Sequence, residues 1–292
     1  MYVAYGLRIS SEVLLPMLRK DDIGGTPDLT IVVDPSLPVP KDRSQEWGHA
    51  TRREAIYFRP SVGSFRITNG KAIAVRILEG SDLYELARVL LGIPMGCLLD
   101  LRGLRVMHAS GVSIEGQAAL FLGTSNSGKS TLAAQLLAGG YPVLTEDIAA
   151  IDSRESISLV TPAFPWLKLS CEAYKKIELP ERTLISLKTD GRGRFGYDLT
   201  EDQFCSTATP LKHCYLLEWG EQTEVERIPG SSALSRVIPQ IFHPPSQNRK
   251  DRKGEFESLM TFIRRIPLYR LTRPKSFDRI EECNGLIERH MS

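Results

Sequence analysis

Hydrophobic positions along the chain change period several times, and each change predicts an element. Met1 to Ile9 alternates weakly and ends in polar residues, as a half-buried strand would. After Leu14-Leu15-Pro16 and a charged, glycine-bearing link, the β-branched run Asp28–Val33 predicts a second strand. Three prolines and several charges from Pro35 to Glu46 read as an exposed loop. Ile56-Tyr57-Phe58, Ser64–Ile67 and Ala72–Ile77 predict an antiparallel meander, with Asn69-Gly70 as the hairpin turn between the last two. Leu83, Leu86, Ala87, Leu90 and Leu91 then fall at helical spacing, so the stretch from Asp82 to Leu91 should be an amphipathic helix that packs rather than binds a ligand.

The second part of the chain mixes periods in strand–helix alternation. Ala118–Leu122 is a short apolar run of buried-strand type. Beyond a polar, glycine-bearing segment, Leu132, Leu136 and Leu137, padded by Ala133 and Ala134, make a helical stripe that stops at Gly139-Gly140. Tyr141–Thr145 reads as a return strand ending in Glu146-Asp147, and Ile148–Ile151 continues as strand. Phe164–Leu169 reads as an irregular stretch, and Glu172 as a solvated helix start with a carboxylate within reach of a metal as the alternative. Leu211–Trp219 is a core strand, and Phe256, Leu259, Met260 and Ile263 mark a helix. The closing Phe277, Ile280 and Ile287 mark another, with Ser276 as its N-cap. The pattern divides the chain into a strand-rich region with one packing helix, 1–100, and an α/β region, 101–292.

Composition narrows the function classes. The 292 residues, 42% apolar and 25% charged, suit an ordinary soluble protein, and a formal charge of +2 argues against nucleic-acid binding driven by overall charge. The five cysteines lack any C-x-x-C spacing, so reduced thiols in a cytoplasmic protein are the simplest reading, and the dispersed histidines suggest no zinc site. The longest apolar run, Val89–Leu99, is too short to span a bilayer and contains Pro94, and no secretory signal opens the chain. Nucleic acid and membrane are therefore not expected partners, while a homo-oligomer is compatible with the sequence.

The chemistry lies between two predicted strands. Gly123-Thr124-Ser125-Asn126-Ser127-Gly128-Lys129-Ser130-Thr131 has the glycine, four-residue gap and Gly-Lys-Ser of a phosphate-binding P-loop, in the required strand–loop–helix context. Gly123 and Gly128 admit backbone angles and close approaches that let successive N–H groups converge on phosphate oxygens at a helix N-terminus. Lys129 supplies a compact positive charge for the β and γ phosphates, and the Ser130 hydroxyl suits Mg²⁺. The next predicted strand delivers Glu146 and Asp147 to the same sheet end, where open parallel sheets bind ligands. One carboxylate can support Mg²⁺ and the other can accept the proton of an attacking hydroxyl.

Lys188–Gly196 is a second candidate. Three glycines within six residues carry Lys188, Arg192 and Arg194, a mobile cationic loop suited to closing over a transferring phosphate, although such loops are also common on plain surfaces. The proline-containing, charged stretch from His243 to Gly254 reads mainly as solvated surface, with steering of an acidic peptide as the alternative.

Met107-His108, the P-loop beginning at Gly123 and the acidic pair that follows resemble the catalytic domain of HPr kinase/phosphorylase. His108–Ile114 is similar to the opening of the HPr kinase-related proteins of peptide biosynthetic clusters, a group that includes lasso peptide kinases. The resemblance extends to Tyr5–Ile9 with Leu15-Pro16, to Phe65-Arg66-Ile67 with Gly70, and to Ile266–Leu271. It departs at Glu146, where the family usually has Asp, an extra methylene of about 1.5 Å; which carboxylate serves as base is left open. The resemblance implies a P-loop kinase core of HPr kinase type behind an N-terminal β-rich region. It also implies ATP and Mg²⁺ as cofactors, His108 lining the phosphate site, and transfer to a serine hydroxyl of a peptide or protein, a lasso peptide precursor foremost. A regulatory or assembly ATPase, and a small-molecule kinase with the same site, are the competing readings.

Overall fold

Tyr5 and Gly6 take positive φ angles of 53° and 65°, and that pair splits the expected first strand into a hairpin of β1 (Tyr2–Ala4) and β2 (Leu7–Ser11). Left-handed angles at both turn positions match the twist of the flanking strands. The computed structural model describes residues 1–21, 24–179, 183–186, 194–244 and 252–292. These form two compact units, one of 1–106 with 242–252 and one of 107–241 with 253–292.

The first unit continues with β3 (Leu29–Val33), β4 (Trp47–Ala50), β5 (Glu54–Arg59), β6 (Gly63–Thr68) and β7 (Ala72–Ile77), giving a seven-stranded sheet in the order β1-β2-β3-β7-β6-β5-β4. Asn69 and Gly70, at φ 52° and 63°, turn the expected hairpin between β6 and β7. In α1 (Leu83–Leu90) the Asp82 side chain accepts from the Glu85 N–H at 2.9 Å, a side-chain N-cap. A second helix, α2 (Ile93–Leu101), was not marked by periodicity, because Pro94 through Leu99 are all buried and leave no polar stripe. Pro94 sits in its first turn, where its missing N–H costs nothing. The Phe242 ring lies over Gly96, where an added Cβ would stand 2.8 Å from it, and the Phe242 N–H donates to Val106 O at 2.9 Å.

The second unit is built on β8 (Arg105–Ile114), β9 (Gln117–Leu122), α3 (Lys129–Ala138), β10 (Val143–Thr145), β11 (Ile148–Asp152) and β12 (Leu159–Thr161). There follow β13 (Trp166–Ser170), α4 (Cys171–Lys176), β14 (Thr183–Ser186), β15 (Arg194–Asp198), β16 (Thr209–Trp219), β17 (Glu224–Arg227) and α5 (Gly230–Val237). The chain closes with α6 (Arg252–Arg265), β18 (Leu268–Arg273) and α7 (Ile280–Met291). Along the main sheet the pairing runs β10-β8-β9-β16-β18-β17. The sheet is mixed: β9, β16 and β18 are parallel, and β8 runs against both β9 and β10.

Ala118–Leu122 reads as an unbroken apolar run because β9 is covered on both faces. Leu120 and Leu122 pack with Met107 and Ala109 toward Val237 of α5 and Phe262 of α6. Phe121 points the other way, into a cluster with Leu132 and Leu136 of α3 and Ile287 of α7.

Three local expectations change. Phe164–Leu169 contains a regular strand, β13, paired with β15 through Trp166↔Asp198 and Lys168↔Gly196. The last helix begins at Ile280 with Arg279 as N-cap and no capping side chain, so Ser276 lies before it. Lys253 and Gly254 belong to α6 rather than to a loop. Arg192 and Lys188 lie outside the described residues, whereas Arg194 opens β15. All five cysteines are free, and no helix among the described residues is long and apolar enough to cross a membrane.

Gly196 is the tightest point of the β13–β15 pair, since a Cβ there would stand 1.8 Å from the buried Trp166 ring. Gly196→Ala should therefore destabilise the protein by about 1–3 kcal/mol, read as a lower urea midpoint at unchanged slope; an unaltered midpoint would show that Trp166 yields freely.

Candidate functional site

The loop after β9 owes its shape to three left-handed residues: Gly123 at φ 145°, Asn126 at 66° and Gly128 at 83°. A side chain would not fit at either glycine. A Cβ on Gly123 would lie 2.6 Å from Ser127 Oγ, and one on Gly128 would lie 2.3 Å from the Arg273 guanidinium. The helix α3 starts at Lys129 with Gly128 as its N-cap and no side chain capping it. Its first-turn N–H groups are therefore not capped by any side chain, an arrangement suited to an anion. Lys129 Nζ curls over that loop, donating to Gly123 O at 2.7 Å and Thr124 O at 3.1 Å. Thr124, Ser125 and Asn126 are exposed on the rim, while Ser127 is buried beneath it.

The loop is held from behind by two residues that sequence reasoning missed. Gln240 accepts from the Gly123 N–H through Oε1 at 3.0 Å. Arg273 donates to Ser127 O at 2.9 Å and Gly128 O at 3.2 Å, and its guanidinium lies 4.3 Å from the centre of the Trp219 ring.

Strand register brings the acids to this loop. Ala109 pairs with Leu122, so His108 stands beside Gly123, and Gly111 pairs with both Leu120 and Thr145. With β8 antiparallel to each, β10 runs in the direction of β9 and ends at the same edge. A tight turn follows: Thr145 Oγ1 donates to Ile148 O at 2.5 Å, Ile148 N donates to Glu146 O at 2.9 Å, and Asp147 takes φ 72°. The turn sends Glu146 inward, 7% exposed, and leaves the Asp147 side chain 52% exposed.

The loop and the acidic turn meet. Ser130 Oγ donates to Glu146 Oε1 at 2.8 Å. Lys168 of β13, its side chain only 14% exposed, lies 2.9 Å from Asp147 Oδ2 and 3.4 Å from Glu146 Oε2. Lys168 was also missed; its signal was a lone cation inside the apolar run Trp166-Leu167-Lys168-Leu169.

The charges set one another. Burial raises the Glu146 pKa and the Asp147 charge adds to this, against the pull of Lys168 and the Ser130 hydrogen bond. Lys168 holds the Asp147 carboxyl well below the usual carboxylate range, helped by His108 and Arg194. Burial alone would lower Lys168, but the two carboxylates carry it above its ordinary value. Burial lowers Lys129, with Asp147 and Glu146 opposing. His108 is exposed at this edge, Arg194 is near enough to act on the same charges, and Glu172 is exposed on the first turn of α4. Among the described residues no cluster of three or more His, Cys, Asp or Glu could by itself enclose a metal ion.

Compared with protein-family models, the chain matches none, and no curated protein sequence matches it. Among solved structures it is similar to the Hpr(Ser) kinase/phosphatase from Coxiella burnetii, at 12% identity over 64% of this chain and 96% of that one, with a TM-score of 0.35. At that level the likeness carries no residue correspondence.

A buried acid with a raised pKa opposes folding once pH exceeds its unfolded value, about 4.3 for Glu. Glu146→Gln keeps an acceptor for Ser130 and removes that opposition. The variant should match or exceed the wild-type denaturation midpoint at neutral pH, with the difference closing as pH falls toward 4; a lower midpoint at neutral pH would show that the ionised pair is net stabilising.

Proposed function

We propose that the chain is an ATP-dependent P-loop kinase of HPr kinase type that phosphorylates a serine hydroxyl on a peptide or protein, with a lasso peptide precursor as the leading acceptor. One observation carries the reading: the hydroxyl that follows the loop lysine and the buried carboxylate of the next strand lie 2.8 Å apart at one sheet edge. An ordinary glycine turn has no reason to meet a buried acid there. The sequence resemblance from His108 to Asp147 supports the choice among P-loop chemistries, and the near-neutral charge argues against a nucleic-acid acceptor held by overall charge.

The geometry also favours a division of labour. Ser130 and Glu146 are hard oxygen donors side by side, a set that fits Mg²⁺, which takes one or two protein ligands and completes its shell with phosphate and water. When bound, Mg²⁺ supplies positive charge to the β and γ phosphate oxygens. Lys129 and the loop amides bind the phosphates. Asp147, turned outward and kept ionised by Lys168, is the group placed to accept the acceptor hydroxyl's proton as transfer proceeds. His108 and Arg194 line the same edge and would balance the charge of the transferring group.

Incubation with γ-labelled ATP, Mg²⁺ and candidate acceptors tests the reading. Label in a serine-containing peptide supports it, free phosphate alone favours an ATPase, and label in a metabolite favours a small-molecule kinase. Lys129→Ala should abolish all transfer, and Arg194→Ala should lower kcat with nucleotide affinity nearly unchanged. Lys168→Met removes the charge that depresses Asp147, so the acid limb of the kcat profile should move to higher pH; an unmoved limb would exclude Asp147 as the base.

A further inference from the structure

Trp219 ends β16 and is 42% exposed, although Cys214–Leu217 just before it are buried. Trp219 pairs with Arg273, the last residue of β18, at the edge of the sheet where the Gly123–Thr131 loop emerges. Arg273 is 4% exposed and its guanidinium lies over the indole, 4.3 Å from the ring centre, while Trp219 itself keeps 42% of its surface in solvent. The same guanidinium holds Ser127 O and Gly128 O, and the ring edge comes within 3.2 Å of where a Gly128 Cβ would stand. An exposed aromatic is thus fixed against the loop by a buried cation.

Sheet order decides what could lie on it. The acidic turn flanks the loop from the β10 side, across β8, and Trp219 flanks it from the β16 side, directly beside β9. A triphosphate lying along the loop with its γ end at Lys129, Ser130 and Asp147 has its nucleoside end directed toward the β16 edge. Heteroaromatic bases stack on exposed indoles, and a cation behind the ring fixes the platform without competing for its open face.

We infer that Trp219 is the stacking platform for the base of the bound nucleotide, with Arg273 as the positioning residue that locks the platform to the phosphate loop. The inference rests on the kinase reading and goes beyond it, since the loop contacts phosphate and cannot sense a base. It assigns base affinity to a residue outside the motif.

Calorimetric titration of the full chain with ATP and, separately, with inorganic tripolyphosphate tests it. Trp219→Ala should weaken ATP by about 5- to 150-fold, the range of a lost base–aromatic stack, while leaving tripolyphosphate unchanged. Trp219→Phe should recover most of the ATP affinity and reports that the strand end still folds. Unchanged ATP affinity in Trp219→Ala would overturn the inference and leave the kinase reading intact. Equal loss of ATP and tripolyphosphate would also overturn it, making Trp219 a prop for the loop. A wild-type chain that binds neither ligand would overturn the phosphate site itself.

Discussion

Two carboxylates that are neighbours in the chain repel each other, and one of them, Glu146, is nearly cut off from water; the ammonium of Lys168 is what makes that strand tip tolerable. Withdrawing an ion from water costs several kcal/mol unless a partner offsets it. Lys168 reaches both acids from a different sheet, so the acidic turn is stable only where β13 is docked beside it. The arrangement gives the two acids different characters. Glu146 is buried, its pKa raised by that burial, and bonded to Ser130, whereas Asp147 is half-exposed and held well below the usual carboxylate range by Lys168.

The loop on the other side of the site depends on equally remote partners. Gln240 and Arg273 stand 117 and 146 residues from the loop atoms they hold. Each satisfies loop backbone groups that an isolated turn would leave to water. The fold thus braces the loop backbone at Gly123, Ser127 and Gly128, while Ser130 in the first turn of α3 meets the acidic edge. Helices on both faces of β9 supply the rigidity, because every residue from Ala118 to Leu122 is fully buried.

What the sequence made legible follows from the range of the forces involved. The hairpin at Asn69-Gly70, the α1 stripe and the strand–loop–helix around Gly128 are set by local sterics and periodicity, and each is present. The helix α2 was hidden because a segment buried all round has no polar face to mark its period. Trp166–Ser170 was hidden by Pro165 and by the lone lysine, which reads as a break in an apolar run until its two carboxylate partners are seen. Candidate-site residues adjacent in the chain to the loop or the acids could be named, while Lys168, Gln240 and Arg273 could not. Their roles come from strand pairing, and no spacing rule encodes that.

The left-handed backbone at Asp147 has a consequence for the order of the two acids. At φ 72° a short side chain that can bond its own main chain is tolerated far better than a longer or branched one. Position 147 therefore favours Asp or Asn on conformational grounds alone, whatever reaction is carried out beside it. Position 146 is free of that constraint, and its longer arm is what spans the gap to Ser130. Glu-then-Asp is consequently the order this turn accommodates; exchanging the two would place the long acid where the chain bends the wrong way and leave the short one with farther to reach.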